Sequence, residues 1–95
     1  MNKIDKLDKL DKLDKLDFAI LNFMNQNKAV TKISAVSIKS ILEEINVKRD
    51  TLYRRLSMLI KSEYVQNGTK ESREYTYYIT EKGKETLDKM LLSNK

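Results

Sequence analysis

Residues 47–83 change their apolar periodicity twice, and this order of patterns restricts the fold more than any other feature of the chain. Residues 48–62 predict an amphipathic helix, because Leu52, Leu56 and Leu59 share one face when 3.6 residues make a turn. Residues 64–80 predict a short β-hairpin, and residues 81–92 predict another helix with Thr80 as its N-cap. We therefore expect a mainly α domain with a small β-hairpin, of the α+β class.

The predicted hairpin rests on a turn signal and on strict alternation. Tyr64 to Gln66 is a short β-prone segment, and the Asn67-Gly68 pair that follows it is a strong turn signal. In residues 74–80, one face carries Tyr75, Tyr77 and Ile79, and the other carries Thr76, Tyr78 and Thr80. Because one face of the hairpin has to cover the helices, we expect the tyrosines to pack in the core and along the sheet edge.

The sequence before residue 47 predicts two further helices and a short strand. The first helix starts near Leu16 and buries most of the apolar run that ends at Met24, and residues 29–36 allow a short strand. Ser37 is a good N-cap for a second helix over residues 38–45, and Asn46-Val47 forms a tight turn. Two short helices joined by a tight turn, the second of them amphipathic and cationic, indicate a helix-turn-helix.

Composition excludes several classes of function. At 95 residues the chain forms one domain with a single core. It contains no cysteine and no histidine, which removes disulfides, thiol nucleophiles and the commonest general base and metal ligand. We therefore expect no enzyme activity, no cofactor and no metal. The chain has no apolar run of about eighteen residues and no secretory signal, so we expect a cytoplasmic protein that does not enter a membrane.

Positive charge is concentrated on the predicted third helix and the hairpin. The net charge is +5, and residues 48–73 hold seven Lys and Arg residues against three Asp and Glu residues. All four arginines lie there, and arginine suits bidentate contact with phosphate or guanine. The face opposite the leucines and its flanks carry Asp50, Thr51, Arg54, Arg55, Ser57, Met58 and Lys61. The hairpin loop adds Lys70 and Arg73, which we expect to reach a phosphate or the minor groove, with a solvated loop as the alternative.

Three positions on the cationic helix have distinct expected roles. Arg54 and Arg55 are long enough to reach base edges, whereas Thr51 is short and suits a phosphate or a thymine methyl group. Asp50 precedes Arg54 by four residues, a spacing that allows an ion pair between them. A solvated charged face is the alternative interpretation of this helix.

Residues 3–17 form a tandem repeat, in which Lys-Ile-Asp is followed by four Lys-Leu-Asp units. An apolar residue at every third position winds around a helix instead of forming one stripe, so the repeat is not a coiled-coil heptad. Pairs such as Asp5 with Lys9 favour weak helicity. We expect residues 1–15 to be frayed or weakly helical and residues 16–95 to form the folded domain. The repeat is either a low-complexity expansion or a segment that binds a protein partner or extends a dimer.

Residues 18–92 resemble the winged-helix DNA-binding domains of the PadR and MarR type. The resemblance is carried by the Asn46-Val47 turn, by residues 51–56 (TLYRRL) and by residues 79–83 (ITEKG). It implies a recognition helix in the major groove and a hairpin, or wing, at the adjacent backbone or minor groove. The positions that it implies as DNA contacts are Lys48, Arg49, Thr51, Tyr53, Arg54, Arg55, Lys70 and Arg73. Lys48 departs from the serine cap of the family, and Ser62-Glu63 departs from its helix-ending glycine.

The last predicted helix carries an apolar stripe, which either closes the core or forms a dimer interface. Terminal helices commonly form the dimer in winged-helix proteins of the kind that this chain resembles, so we expect a homodimer. Two recognition helices would then lie roughly 34 Å apart, about one turn of DNA. The expected interface comprises Phe18, Ile20, Leu21, Leu87, Met90 and Leu91.

The sequence leaves three functions open. The first is sequence-specific binding of double-stranded DNA without catalysis, most commonly by a transcriptional regulator. The second is DNA segregation, in which the protein coats a centromere-like site and recruits a partition partner through the N-terminal repeat. The third is a winged helix that binds proteins and never touches DNA, and the clustered arginines argue against it.

Overall fold

The computed structural model describes residues 13–70 and 73–93. These residues form four helices and a three-stranded antiparallel sheet, so the predicted α+β class is confirmed. The prediction for residues 1–12 of the repeat concerns a segment that lies outside the described residues. In chain order the elements are α1 (Lys15–Gln26), β1 (Val36–Ser37), α2 (Ile38–Glu44), α3 (Arg49–Lys61), β2 (Val65–Asn67), β3 (Thr76–Ile79) and α4 (Glu81–Ser93).

The sheet has the strand order β1-β3-β2, with β3 in the centre. Tyr77 pairs with Val36 on one side and with Asn67 on the other. The predicted strand at residues 29–36 is wrong except for its last residue, because Thr31 and Ser34 form a local turn. The Ser34 backbone N–H donates to Thr31 Oγ1 at 3.2 Å, and the Thr31 N–H donates to Ser34 Oγ at 3.1 Å. Such side-chain bonds compete with pairing in a sheet.

The hairpin turn lies further along the chain than the sequence predicts. Asn67 is the last residue of β2, and the Gly68 N–H still donates to the Thr76 carbonyl at 2.9 Å, so strand pairing continues past the predicted Asn67-Gly68 turn. Gly68 is needed for space and not for a positive φ. A Cβ atom there would collide with the Cβ of Ala35 and lie 2.7 Å from the Lys32 carbonyl oxygen.

Two helices end in the same motif at residues other than glycine. Lys28 follows α1 with φ 57°, and Glu63 follows α3 with φ 69°. After α3, the Tyr64 N–H donates to the Leu59 carbonyl and the Glu63 N–H donates to the Ile60 carbonyl, each at 2.9 Å, which is the Schellman pattern. The departure at Ser62-Glu63 therefore leaves the helix end intact, because Glu63 adopts the left-handed conformation that glycine usually supplies.

The helix-turn-helix lies where the sequence predicts it. Ser37 Oγ accepts a hydrogen bond from the Ser40 N–H at 3.2 Å and so caps α2 as predicted. Lys48 occupies the N-cap position of α3 but makes no capping bond with its side chain. None of the helices formed by residues 13–70 and 73–93 is long and apolar enough to cross a membrane.

One apolar core joins α1, the helix-turn-helix, the sheet and α4. Ile20, Leu21 and Leu87 are completely buried in it, because α1 packs against α4 within the same chain. Their burial within one chain argues against their predicted place in a dimer interface, whereas Leu91 remains 42% exposed. The fully buried side chains include Ile20, Leu21, Met24, Ile38, Ile41, Leu52, Leu56, Leu59, Val65, Ile79 and Leu87.

Candidate nucleic-acid interface

The two faces of α3 separate as the helical wheel predicts. Leu52, Leu56 and Leu59 are buried and fix the helix against the core. The opposite side is exposed, and Thr51 on its flank is half-buried. The exposed side chains at and within this helix are Lys48, Arg49, Asp50, Tyr53, Arg54, Ser57, Met58 and Lys61.

Arg54 lies in the middle of this exposed face. The expected ion pair between Asp50 and Arg54 is absent, since among the described residues the only arginine that forms ion pairs is Arg55. The Arg54 side chain is exposed and forms no ion pair with any described residue. Lys48 and Arg49 extend the cationic surface at the start of the helix, and Lys61 extends it at the end.

Arg55 occupies a different environment from the one expected of a DNA contact. Its guanidinium lies 2.7 Å from Asp14 Oδ2 and 3.2 Å from Asp17 Oδ2, and its side chain is only 30% exposed. These aspartates begin α1, where each accepts a hydrogen bond from the backbone N–H of the other in a capping box. Arg55 thus ties α3 to the start of α1, and its guanidinium is engaged within the chain, unlike the free side chain expected of a residue that reads base edges.

The two aspartates respond differently to this arrangement. Burial raises the pKa of Asp17, and the charge of Asp14 adds to the increase while the Asp14 N–H and Arg55 oppose it. Burial also acts to raise the pKa of Asp14, but the Asp17 N–H and the Arg55 charge together outweigh it and lower that pKa. Arg55 therefore favours the charged form of both carboxyl groups.

The wing projects two cations from a fixed base. Lys70 and Arg73 are both exposed, as predicted, and the loop between them lies outside the described residues. The Lys70 Nζ atom lies 4.5 Å from the centroid of the Tyr75 ring, a cation–π distance. Thr76 Oγ1 donates to the Thr69 carbonyl at 2.6 Å and holds the base of the wing.

Tyrosine side chains occur both on α3 and near the wing. Tyr77 of β3 is 4% exposed, whereas Tyr53 of α3 and Tyr75 before β3 are 40% and 53% exposed. Burial raises the pKa of Tyr77, and the neighbouring phenol groups of Tyr53 and Tyr75 raise it further. The predicted packing role therefore fits Tyr77, whereas Tyr53 and Tyr75 are exposed.

The capping box of Asp14 and Asp17 and the contacts of Arg55 were not predicted, although the sequence contains signals for both. Asp14 and Asp17 have the three-residue spacing of a capping box, which the repeat obscures because every third residue there is an aspartate. Arg55 lies three residues after Leu52 and four before Leu59, at the edge of the buried face and not at the outer pole.

Comparison with known proteins identifies the fold. Neither a family model nor a curated protein matches this sequence. TubR from Bacillus megaterium pBM400 superposes with a TM-score of 0.81 and 22% identity, covering 96% of this chain and 98% of that one. The DNA-binding TubR fragment from Clostridium botulinum gives a TM-score of 0.67 and 23% identity, covering 81% and 95%. F-93 of SSV1 gives 0.54 and 21%, covering 80% and 82%.

These similarities support the predicted architecture at the level of the fold. The match to TubR from B. megaterium extends over nearly the whole of both chains. The two proteins therefore share the complete arrangement of helices and strands, and the similarity is not limited to one motif. None of the three carries a PadR or MarR name. The chain has a winged helix-turn-helix fold, and the comparisons do not select the PadR or MarR type.

Proposed function

We propose that this protein binds double-stranded DNA in a sequence-specific manner, without catalysis, and that it acts as a transcriptional regulator. The observation that carries the proposal is the exposed cationic face of α3, with Arg54 unpaired among the described residues and a wing with two exposed cations. The 13-residue helix α3 is about 20 Å long, and a helix with its side chains is about 10–12 Å across, which suits a major groove about 12 Å wide.

The exposed side chains of α3 and of the wing suit different contacts with DNA. Arg54 stands on the outer face of α3 and can donate two hydrogen bonds to the major-groove edge of guanine. Lys70 and Arg73 on the wing, and Lys48 at the start of α3, are suited to phosphates, which orient the protein without reading sequence. The name of the C. botulinum neighbour describes it as DNA-binding, which supports the same use of the fold here.

We further propose that the protein acts as a homodimer through the end of α4. Leu91 and Leu92 are 42% and 68% exposed, and Met90 beside them is half-buried. Phe18 on α1 is half-buried as well and packs at the margin of the core. The proposed interface therefore keeps Phe18, Met90 and Leu91 from the sequence prediction, adds Leu92 and omits the three fully buried residues.

Two other uses of the module remain open. In DNA segregation, the protein would coat a repeated array and recruit a partner through its N-terminal repeat, whereas a regulator would occupy an operator beside a promoter. Mapping the bound sites on the source DNA separates these two uses. A winged helix that binds only proteins would leave the cations of α3 and the wing without a nucleic-acid ligand.

Binding to duplex DNA over a range of salt concentrations tests the proposal. We expect affinity for random and genomic duplexes to fall steeply between 50 and 200 mM salt, because each neutralised phosphate contributes a slope of about −0.9 in log K against log salt. No binding even at low salt would reject DNA binding and favour the protein-interaction alternative.

Substitutions distinguish the roles of the helix and the wing. Arg54→Ala should reduce discrimination between cognate and random DNA by about 1–3 kcal/mol. Arg73→Ala should weaken binding to all sequences about equally and lower the magnitude of the salt slope by about 1. Equal loss of discrimination from both variants would show that the roles of helix and wing are assigned incorrectly.

A further inference from the structure

The chain just before β1, residues 30–35, lies against the base of the wing and is called the pre-β1 loop below. The Thr69 N–H donates to the Lys32 carbonyl at 3.1 Å, and the Thr69 carbonyl accepts a hydrogen bond from Thr76 Oγ1 at 2.6 Å. Gly68 makes this approach possible, because a Cβ atom there would lie 2.7 Å from the Lys32 carbonyl oxygen. The pre-β1 loop and the base of the wing therefore form one continuous surface.

Further hydrogen bonds fix the conformation of the pre-β1 loop. Ser34 Oγ accepts from the backbone N–H groups of Val30 and Thr31 at 3.2 and 3.1 Å. The Ile79 N–H donates to the Ala29 carbonyl at 2.8 Å just before the loop, and β1 pairs with β3 just after it. A side chain on a fixed backbone binds a ligand at a lower entropic cost than one on a loop that has to be ordered.

The pre-β1 loop carries a positive charge at the surface. Lys32 and its neighbour Ile33 are both exposed, Ile33 by 92%. Lys32 is also the only charged residue among residues 29–37. Because Lys32 accepts the hydrogen bond from Thr69 and Lys70 follows Thr69, backbone dimensions keep the Cα atoms of the two lysines within about 10 Å of each other. Lys32 thus adds a third exposed cation to the two of the wing.

The closeness of Lys32 and Lys70 suits the backbone of duplex DNA. Phosphates follow one another about every 3.4 Å of helix axis along a strand, so two cations held about 10 Å apart can bind phosphates of the same strand. Two like charges held this close repel each other, and a phosphate bound beside them offsets that repulsion. The lysine ammonium is a compact charge that binds phosphate without reading the bases.

We infer that Lys32 binds a backbone phosphate of duplex DNA beside the phosphates bound by the wing, so that the pre-β1 loop belongs to the DNA-binding surface. The inference rests on the proposed DNA binding and adds a contact to it from a different part of the chain. The sequence did not indicate this contact, because residues 29–36 were predicted as a strand, whereas the structure holds them as a loop on the wing.

The test measures binding of the full-length protein to random and genomic duplexes between about 50 and 200 mM salt. Lys32→Ala and Lys32→Gln remove the charge, and Lys32→Arg keeps it. Lys89→Ala is the matched control, because Lys89 is an exposed lysine on α4, outside the proposed DNA contacts. Thermal unfolding of each variant checks that the fold is retained, which we expect because both lysines are exposed.

We expect Lys32→Ala and Lys32→Gln to weaken binding to random and genomic duplexes equally, because a phosphate contact carries no sequence information. The magnitude of the salt slope should fall by about 0.9. The difference in affinity between the wild type and either variant should therefore shrink about 3.5-fold from 50 to 200 mM salt. Lys32→Arg should keep the wild-type slope, and Lys89→Ala should bind like the wild type.

Three outcomes would overturn the inference while leaving DNA binding in place. The first is a wild-type slope in Lys32→Ala and Lys32→Gln under conditions where Arg73→Ala lowers it. The second is an equal loss in Lys89→Ala, since the effect would then follow from net charge. The third is a loss confined to genomic DNA, which would assign Lys32 to base reading. A wild-type protein that binds no duplex at low salt would instead overturn the proposed function itself.

Discussion

Gly83, in the first turn of α4, illustrates how a single residue is constrained by a neighbour distant in sequence. A Cβ atom there would collide with the Tyr64 carbonyl oxygen and lie 2.7 Å from Ile79 Cγ1. The same carbonyl accepts a hydrogen bond from the Thr80 N–H at 3.0 Å, so it is not free to move. Helix propensity alone would favour alanine by about 1 kcal/mol, whereas overpacking typically costs 1–3 kcal/mol.

At this residue we therefore expect Gly83→Ala to lower the free energy of unfolding by about 1–2 kcal/mol, against the helix propensity. Thermal unfolding should show a midpoint several degrees lower, because about 1 kcal/mol corresponds to 4–8 °C in a domain of this size. Glu85→Ala, at an exposed position of the same helix, should change stability by less than about 0.5 kcal/mol. A Gly83→Ala protein more stable than the wild type would show that the Tyr64 carbonyl moves freely.

At the scale of elements, the Arg55 pairs with Asp14 and Asp17 join α3 to α1. Arg55→Met removes the charge and keeps most of the apolar stem. At pH 7 we expect it to lower the free energy of unfolding by about 2 kcal/mol, less than for a fully buried pair because the arginine is partly exposed. Urea unfolding at several pH values measures this deficit, and Arg54→Met is the matched control, because Arg54 pairs with none of the described residues.

The pH dependence of this deficit follows from the two carboxyl groups. The folded-state pKa of Asp17 is raised, so its contribution to stability is complete below the unfolded pKa and is lost as the pH rises through the folded pKa. The folded-state pKa of Asp14 is lowered, so its contribution is present above the unfolded pKa and is lost as the pH falls. Loss of Arg55 raises both folded-state pKa values, so the deficit should shrink as the pH falls from 7 to below about 4. An equal deficit at pH 7 and below about pH 4 would show that the deficit arises from packing of the arginine stem and not from the ion pairs.

The same elements show how far the sequence can predict this structure. The helices of the helix-turn-helix were predicted within one or two residues, because local signals such as the Ser37 cap and the leucine spacing of α3 fix them. The Arg55 contacts were not predicted, because they join residues at least 38 positions apart and depend on how two helices pack. The prediction of a strand before Val36 was wrong for a local reason, because the side chains of Thr31 and Ser34 accept hydrogen bonds from each other's backbone N–H groups.

For the whole molecule, the distribution of exposed apolar side chains suggests where a second copy binds. The large apolar side chains exposed in the described parts of the chain are Ile33, Tyr53, Met58, Tyr75, Leu91 and Leu92. Tyr53 and Met58 belong to the proposed DNA-binding helix, and Tyr75 belongs to the wing. Leu91 and Leu92 are adjacent at the end of α4, so they form an apolar surface outside the proposed DNA contacts.

We therefore expect the double variant Leu91→Ser with Leu92→Ser to shift the protein from dimer to monomer in sedimentation equilibrium. Its thermal midpoint, measured at concentrations where the wild type is also monomeric, should change little, because both side chains are largely exposed in a single chain. Ile33→Ser is the matched control, since it removes an isoleucine that is 92% exposed on a separate loop, and it should remain dimeric. A wild-type protein that sediments as a monomer at tens of micromolar would reject the dimer. A double variant that stays dimeric would place the interface elsewhere.

The same variant also tests how the dimer acts on DNA. If the monomeric variant binds an inverted repeat more weakly than the wild type while binding a half-site equally well, the dimer sets the spacing of the two recognition helices on DNA.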